Sequence, residues 1–315
     1  MSLFLIYIVL GLALLYFGAE GLVRGSSSLA LRLRISPLVI GLTVVAFGTS
    51  MPEMVVSIKT ALSQQGGIAI GNVVGSNIFN IAVILGLSSA IAPLKIRLQI
   101  IRIDTPIMFF VVFLFFLLFR DLTIDRLEGA FFLLLLIVYT YANLYFSRRA
   151  GKRANEEFSD TLGVAHYKNV FVELAFILGG LAILIGGANL LVNGAIGLSR
   201  LIGISETVIG LTIVAAGTSL PELATSVVAS LRKEADIAIG NIIGSNIFNI
   251  LAILGVASVV SPIYGQDIGR IDIYVMLGIS LLLLPMLRSG YRLSRLEGAF
   301  LLITYGCYLY YLLTR

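Results

Sequence analysis

Tryptophan is absent from the 315 residues, cysteine and histidine occur once each, and only 12% of positions are charged. Each scarcity excludes something. The single cysteine, Cys307, permits no intrachain disulfide and no cysteine-based metal cluster. The single histidine, His166, falls in a polar stretch, reads as solvated, and removes a histidine-based zinc hydrolase from consideration. A soluble domain carries roughly 25% charged residues. Here 58% of residues are hydrophobic and the mean hydropathy is +1.02, as befits a chain whose solvent is mostly lipid. The net charge of +5 is no nucleic-acid footprint, because Lys and Arg stand singly or in small groups between apolar runs, where they set orientation. With no basic residues before Leu3, the first segment reads as a spanning helix rather than a cleaved signal peptide.

Apolar runs of about 20 residues, each long enough to cross a bilayer, recur from end to end. Ten spans are predicted, over 3–23, 36–62, 68–92, 103–120, 124–147, 169–197, 205–231, 236–262, 271–288 and 294–314. The fold class is therefore all-α and integral to the membrane, with the lipid bilayer as its first partner. Tyrosine must supply any aromatic belt, and Tyr139, Tyr141, Tyr145, Tyr305, Tyr308, Tyr310 and Tyr311 lie near predicted helix ends. The one long polar stretch, 148–168, reads as a loop between two halves, 1–147 and 169–315.

The halves are copies. GTSMPE at 48–53 returns as GTSLPE at 217–222, GNVVGSNIFN at 71–80 as GNIIGSNIFN at 240–249, and RLEGAF at 126–131 unchanged at 295–300. Pro93 answers Pro262, and Gly41 answers Gly210. Every pair is 169 positions apart (217 − 48, 240 − 71, 295 − 126). Five spans per copy is an odd number, so the second copy enters from the opposite side: two inverted five-helix repeats, a plan shared by many secondary transporters. Counted by side, six Lys and Arg face sixteen. The positive-inside rule places the sixteen in the cytoplasm, with both termini outside and 148–168 inside.

Glu53 and Glu222 lie mid-way along apolar spans, and no basic residue stands near mid-span to pair with them. A carboxylate at such depth costs a few kcal/mol and faces a partner, a cavity or an ion. Pro52 has no N–H, so the carbonyl of Gly48 loses its helical donor. The span should break there, with carbonyls such as that of Ala46 free to turn inward beside the hydroxyls of Thr49 and Ser50. Irregular backbone at that depth is tolerated only where it is buried or lines a water-filled cavity. Carbonyls, hydroxyls and carboxylates are together the ligand set of Ca2+ and other hard cations. The glycine–asparagine helices add Ser76 and Asn80, and Ser245 and Asn249, where two crossed broken helices would meet them. Asn72, Asn77, Asn241 and Asn246 serve equally well as bonds to neighbouring helices. Gly71 and Gly75, like Gly240 and Gly244, are four apart and let another helix approach closely. Among the remaining acids, Glu128 and Glu297 sit at span starts, where a carboxylate near a helix N-terminus is ordinary. Asp104 and Glu173 read as interfacial, and Glu20 as interface packing.

With these motifs the chain resembles the Ca2+/cation antiporter superfamily, and within it the Na+/Ca2+ exchangers of prokaryotic type. The segments 41–86 and 210–255 look like the two alpha repeats of that family. The resemblance implies a non-enzymatic transporter of Na+ and Ca2+ with no cofactor. Its ligands would be Thr49, Ser50, Glu53, Ser76 and Asn80 from one repeat and Thr218, Ser219, Glu222, Ser245 and Asn249 from the other, completed by backbone oxygens of Ala46 and Ala215. Asn249 stands where many microbial relatives have Asp, which leaves two carboxylates. The alternatives are a Ca2+/H+ antiporter of the same superfamily and a passive cation channel.

Overall fold

The structure is a computed structural model and describes residues 2–161, 169–202, 215–265 and 268–314. His166 and Gly210 lie outside the described residues. The helices, in chain order, are α1 Ser2–Leu33, α2 Pro37–Thr49, α3 Met51–Leu62, α4 Gly66–Ile91, α5 Ile100–Asp121 and α6 Arg126–Thr161. They continue with α7 Val170–Leu201, α8 Ala215–Gly217, α9 Leu220–Leu231, α10 Ala235–Val260, α11 Arg270–Arg288 and α12 Arg295–Thr314. Among the described residues eight helices are long and apolar enough to cross a membrane, and α2 with α3, bent by 48°, makes a ninth. The seventh expected span is described only from residue 215 onward.

Two differences from the sequence reading have simple causes. The segment expected as a loop from 148 onward is helical as far as Thr161, because α6 continues through it. Its residues are mostly good helix formers. The helix is therefore ~54 Å long at 1.5 Å per residue, well beyond a bilayer core. Glu173 and Asp104, expected at interfaces, are fully buried, and so is most of Tyr139, expected in an aromatic belt. Position along a span gives depth but not which neighbour covers it. For Glu173 the cover is α1: Ser28 donates to its Oε1 and Arg32 to its Oε2, each at 2.6 Å. Glu173→Ala is expected to cost about 2–3 kcal/mol, the worth of bonds to a buried charge, read as a lower melting temperature in detergent. An unchanged melting temperature would mean that this junction does not hold α1 to α7. Glu20 instead ties Arg24 of its own helix at 2.6 Å to Arg232 beyond α9.

Of the most apolar stretch of each helix, 89% is buried in α10 and 67% in α4, against 22% in α1 and 28% in α7. The glycine–asparagine helices are thus the centre, and the α1/α7 pair lies against it from outside. The main apolar cluster joins α4, α5, α10 and α11, including Ile78, Phe115, Ile247 and Met276, and a second joins α1 and α7 to the start of α2. Gly240 and Gly244 admit α2 as expected: a Cβ there would stand 2.8 Å from Leu38 O and 2.7 Å from Leu42 O. At Gly71 an added Cβ would meet Ile268 at 3.4 Å.

Short strands close both ends. Leu94–Lys95 pairs antiparallel with Arg292–Leu293, and Thr123–Ile124 with Ile263–Tyr264. The two pairings exchange under the 169-residue offset. Glu128 and Glu297 cap their helices as their position suggested. Asp125 and Glu128 exchange backbone N–H bonds at 2.9 and 2.8 Å, and Ser294 and Glu297 do the same at 2.8 and 3.3 Å.

Candidate cation site

Proline shapes both halves of the site. Pro52 and Pro221 occupy the second position of α3 and α9, where a missing N–H is harmless. The preceding helices stop just short of them. At the junctions Ser50 (φ −82°, ψ 6°) and Ser219 (φ −88°, ψ 7°) take the same bridge conformation. This puts Glu53 and Glu222 in the first turn of a helix, where the macrodipole favours a negative group. One expectation is corrected here. The Ala46 carbonyl is not free, since it accepts the Ser50 N–H at 3.1 Å and has the Thr49 hydroxyl at 3.4 Å. In the second half the Ser219 N–H bonds Ala216 O at 3.2 Å, and Ala215 opens α8.

The carboxylates are crossed between the halves. The Ser50 hydroxyl donates to Glu222 Oε1 and the Ser219 hydroxyl to Glu53 Oε1, both at 2.9 Å. Ser219 Oγ also lies 3.2 Å from Ser76 Oγ. Both carboxylates are 1% exposed. Their backbones are pinned alike. Asn72 Nδ2 bonds Glu53 O at 3.1 Å and Ser57 at 2.9 Å; Asn241 Nδ2 bonds Glu222 O at 3.4 Å and Ser226 at 3.0 Å. Asn72 and Asn241 are therefore helix-to-helix bonds, one of the two roles open to them from sequence. Thr49 is the exception to the symmetry: its hydroxyl reaches Asn241 Oδ1 at 3.0 Å, while Thr218 Oγ1 has no partner among the described residues.

Asn80 and Asn249 each start a wide π-type stretch, Asn80–Leu85 and Asn249–Leu254, of the kind frequent at functional sites. Their amides are crossed as well, Asn80 Nδ2 to Asn246 Oδ1 at 3.2 Å and Asn249 Nδ2 to Asn77 Oδ1 at 3.1 Å. Asn77 and Asn246 in turn reach Met276 and Met108. Neither methionine was singled out from sequence, although a signal existed. RID at 102–104 returns at 270–272, one residue out of the common register, and each copy has Met four positions on.

Thus Thr49, Ser50, Glu53, Ser76 and Asn80 come together with Ser219, Glu222, Ser245 and Asn249, all under 5% exposed. Five of their buried oxygens and that of Thr218 find no hydrogen-bond partner among the described residues: Glu53 Oε2, Glu222 Oε2, Asn80 Oδ1, Asn249 Oδ1, Ser245 Oγ and Thr218 Oγ1. Buried polar groups are normally satisfied, so each needs an account. Every one is an oxygen, and two belong to carboxylates. That donor set suits a hard cation such as Ca2+ or Na+ and does not suit a soft one.

The family model described as sodium/calcium exchanger protein matches residues 3–145 and 172–314. The sodium/calcium exchanger MaX1 of Methanosarcina acetivorans is 36% identical over 96% of this chain and 96% of its own. The inner membrane protein YrbG of Escherichia coli is 35% identical over 81% of this chain and 79% of its own. Among solved structures, the sodium-calcium exchanger NCX_Mj superposes with a TM-score of 0.85 at 32% identity, covering 99% of both chains. With both halves matched by one model and the whole length matched in sequence and shape, this multi-pass membrane protein belongs to the sodium/calcium exchanger family.

Proposed function

We propose that the chain is an electrogenic Na+/Ca2+ antiporter working by alternating access, with Na+ and Ca2+ competing for overlapping oxygens near the middle of the membrane. The observation that carries this reading is the pair of buried carboxylates, each with one oxygen held by the other half and one without a partner among the described residues. The proposed ligands are Thr49, Ser50, Glu53, Ser76, Asn80, Thr218, Ser219, Glu222, Ser245 and Asn249, with backbone oxygens of Ala46 and Ala215. A carbonyl has two lone pairs; with the Ser50 N–H on one and the single Thr49 hydroxyl hydrogen given to Asn241 Oδ1, Ala46 O keeps the other for an ion. Two carboxylates balance one Ca2+, whereas several Na+ leave the site positive. Close positive charges in a low dielectric repel strongly, which makes the two ions competitors.

The ten spans form two inverted repeats, 1–147 and 169–315, in the plasma membrane of a prokaryote. Both termini lie outside and 148–168 is cytoplasmic, the arrangement favoured by the sixteen-to-six distribution of Lys and Arg. The moving group is α1 with α7, against a core of the remaining helices. In support, α7 rests on both breaks: a Cβ at Gly48 would meet Leu181, and one at Gly217 would meet Val192.

The test is Ca2+ uptake into proteoliposomes loaded with Na+. Uptake is expected to require the outward Na+ gradient and to quicken under an inside-positive potential, because more positive charge leaves with Na+ than enters with Ca2+. Uptake driven by a pH gradient instead would move the chain to the proton-coupled branch. Uptake indifferent to both gradients would mean a passive channel.

A further inference from the structure

An asparagine ligand has a problem that a carboxylate does not. One end of its amide attracts a cation and the other repels it, and the two ends have nearly the same shape. Asn80 and Asn249 are each bonded to a second asparagine, Asn246 and Asn77. An asparagine pair does not decide the matter. Either member can donate, and flipping both amides preserves the bond while turning an N–H towards the ions.

The next residue in each chain decides it. Asn77 Nδ2 lies 3.7 Å from Met276 Sδ, and Asn246 Nδ2 lies 3.5 Å from Met108 Sδ. A thioether accepts hydrogen bonds and cannot donate one. The amide nitrogen of Asn77 therefore belongs on the Met276 side, and its oxygen on the other. That oxygen takes the N–H of Asn249, so Asn249 Oδ1 must point away from Asn77. The same logic runs from Met108 through Asn246 to Asn80. The structure has this arrangement: among the described residues Asn80 Oδ1 and Asn249 Oδ1 are the buried amide oxygens left without a partner, as are Glu53 Oε2 and Glu222 Oε2 of the carboxylates. Asn77, Asn246, Met108 and Met276 are all at most 1% exposed, so water offers no competing acceptor. The chains cross the halves in opposite senses, the first-half Met108 setting a second-half asparagine and the second-half Met276 a first-half one.

We propose that Met108 and Met276, acting through Asn246 and Asn77, are positioning residues that fix which end of the Asn80 and Asn249 amides meets the transported cations. The inference rests on the reading of Asn80 and Asn249 as cation ligands. Where a ligand amide must present oxygen without the help of a carboxylate's second oxygen, a thioether two residues removed supplies the direction. Methionine is here a polar device in an apolar setting, beyond its usual part as an adaptable filler.

Met276→Leu and Met108→Leu keep volume and apolarity while removing the acceptor. Each is expected to weaken apparent Ca2+ affinity roughly three- to tenfold, with the maximal exchange rate within about twofold and the melting temperature in chelator unchanged. Met276→Ile serves as a second acceptor-free replacement should the leucine variant not fold. The deciding measurement is a double-mutant cycle. In an Asn249→Asp background both ends of the ligand are oxygens, direction no longer matters, and Met276→Leu should bring no further loss of Ca2+ affinity. Met108→Leu, which acts on Asn80, should keep its full effect there. Equal weakening by Met276→Leu in both backgrounds would make the residue a packing group and overturn the proposal, as would wild-type affinity in both single variants. Asn80→Ala and Asn249→Ala separate the two failures. If they leave Ca2+ affinity intact, the ligand reading itself is wrong; if they weaken it while the methionine variants do not, only the orienting chain is wrong.

Discussion

Glu53→Gln is expected to lower Na+-driven Ca2+ transport by at least about 100-fold, and Glu222→Gln to do the same. Each substitution removes one of two full charges from a buried site, where an uncompensated ion is worth several kcal/mol. The equal size of the two losses is part of the prediction. The carboxylates are held crosswise by equivalent serines at the same 2.9 Å, so neither is the senior partner. A second observable has the opposite sign. Both carboxylates are 1% exposed, and each has an oxygen with no hydrogen-bond partner among the described residues, a burden that Ca2+ would relieve. Glutamine relieves that burden, so the variants should melt higher than wild type in chelator while losing the stabilisation that added Ca2+ gives the wild type. Transport within a few-fold of wild type in either variant would remove that carboxylate from the site.

Much of this was legible because the chain states it twice. A mid-span glutamate could be an accident of packing; two of them 169 positions apart, each after Thr-Ser-x-Pro, imply a broken helix that carries an acid. The break itself followed from the missing N–H of Pro52. Its consequence for Ala46 did not, because the helical donor to Ala46 O is Ser50, four residues on, which keeps its N–H and closes the ordinary bond. Contacts between elements distant in sequence were less accessible. Asn77 reaches Met276 across 199 positions, and no local spacing distinguishes an asparagine that binds a neighbour from one that binds an ion. The cover over Glu173 was out of reach for a related reason. Hydropathy places the residue near the end of a span, whereas its burial is decided by the close approach of α1. The α6 extension failed in the other direction. Charge density marked 148–161 as leaving the membrane, but leaving the membrane does not end a helix when its residues favour one.

Gly18→Ala is expected to impair both stability and transport, although alanine is the better helix former. Gly11, Gly18 and Gly25 on α1, and Gly180, Gly187 and Gly194 on α7, each form a stripe at intervals of seven, two helical turns. Along it the two backbones touch. A Cβ at Gly18 would stand 2.8 Å from Leu184 N and 2.9 Å from Gly180 O, and one at Gly187 would stand 2.9 Å from Leu15 N. Side chains can turn away from such an intrusion, but backbone atoms cannot, so the helices must part. Overpacking of this kind costs about 1–3 kcal/mol. In the membrane the loss weighs more, because helix association there depends on close packing rather than on the hydrophobic effect. The same α7 offers its own control. At Gly179 and Gly186 an added Cβ would meet nothing within 4 Å among the described residues. Gly186→Ala should therefore keep transport and gain up to about 1 kcal/mol from helix propensity alone. One methyl group thus has opposite signs at two positions, Gly18 at the interface and Gly186 away from it. Melting temperatures and exchange rates that move together in the two variants would show that α1 and α7 are not locked by their glycines, and with that the case for their moving as one body would fall.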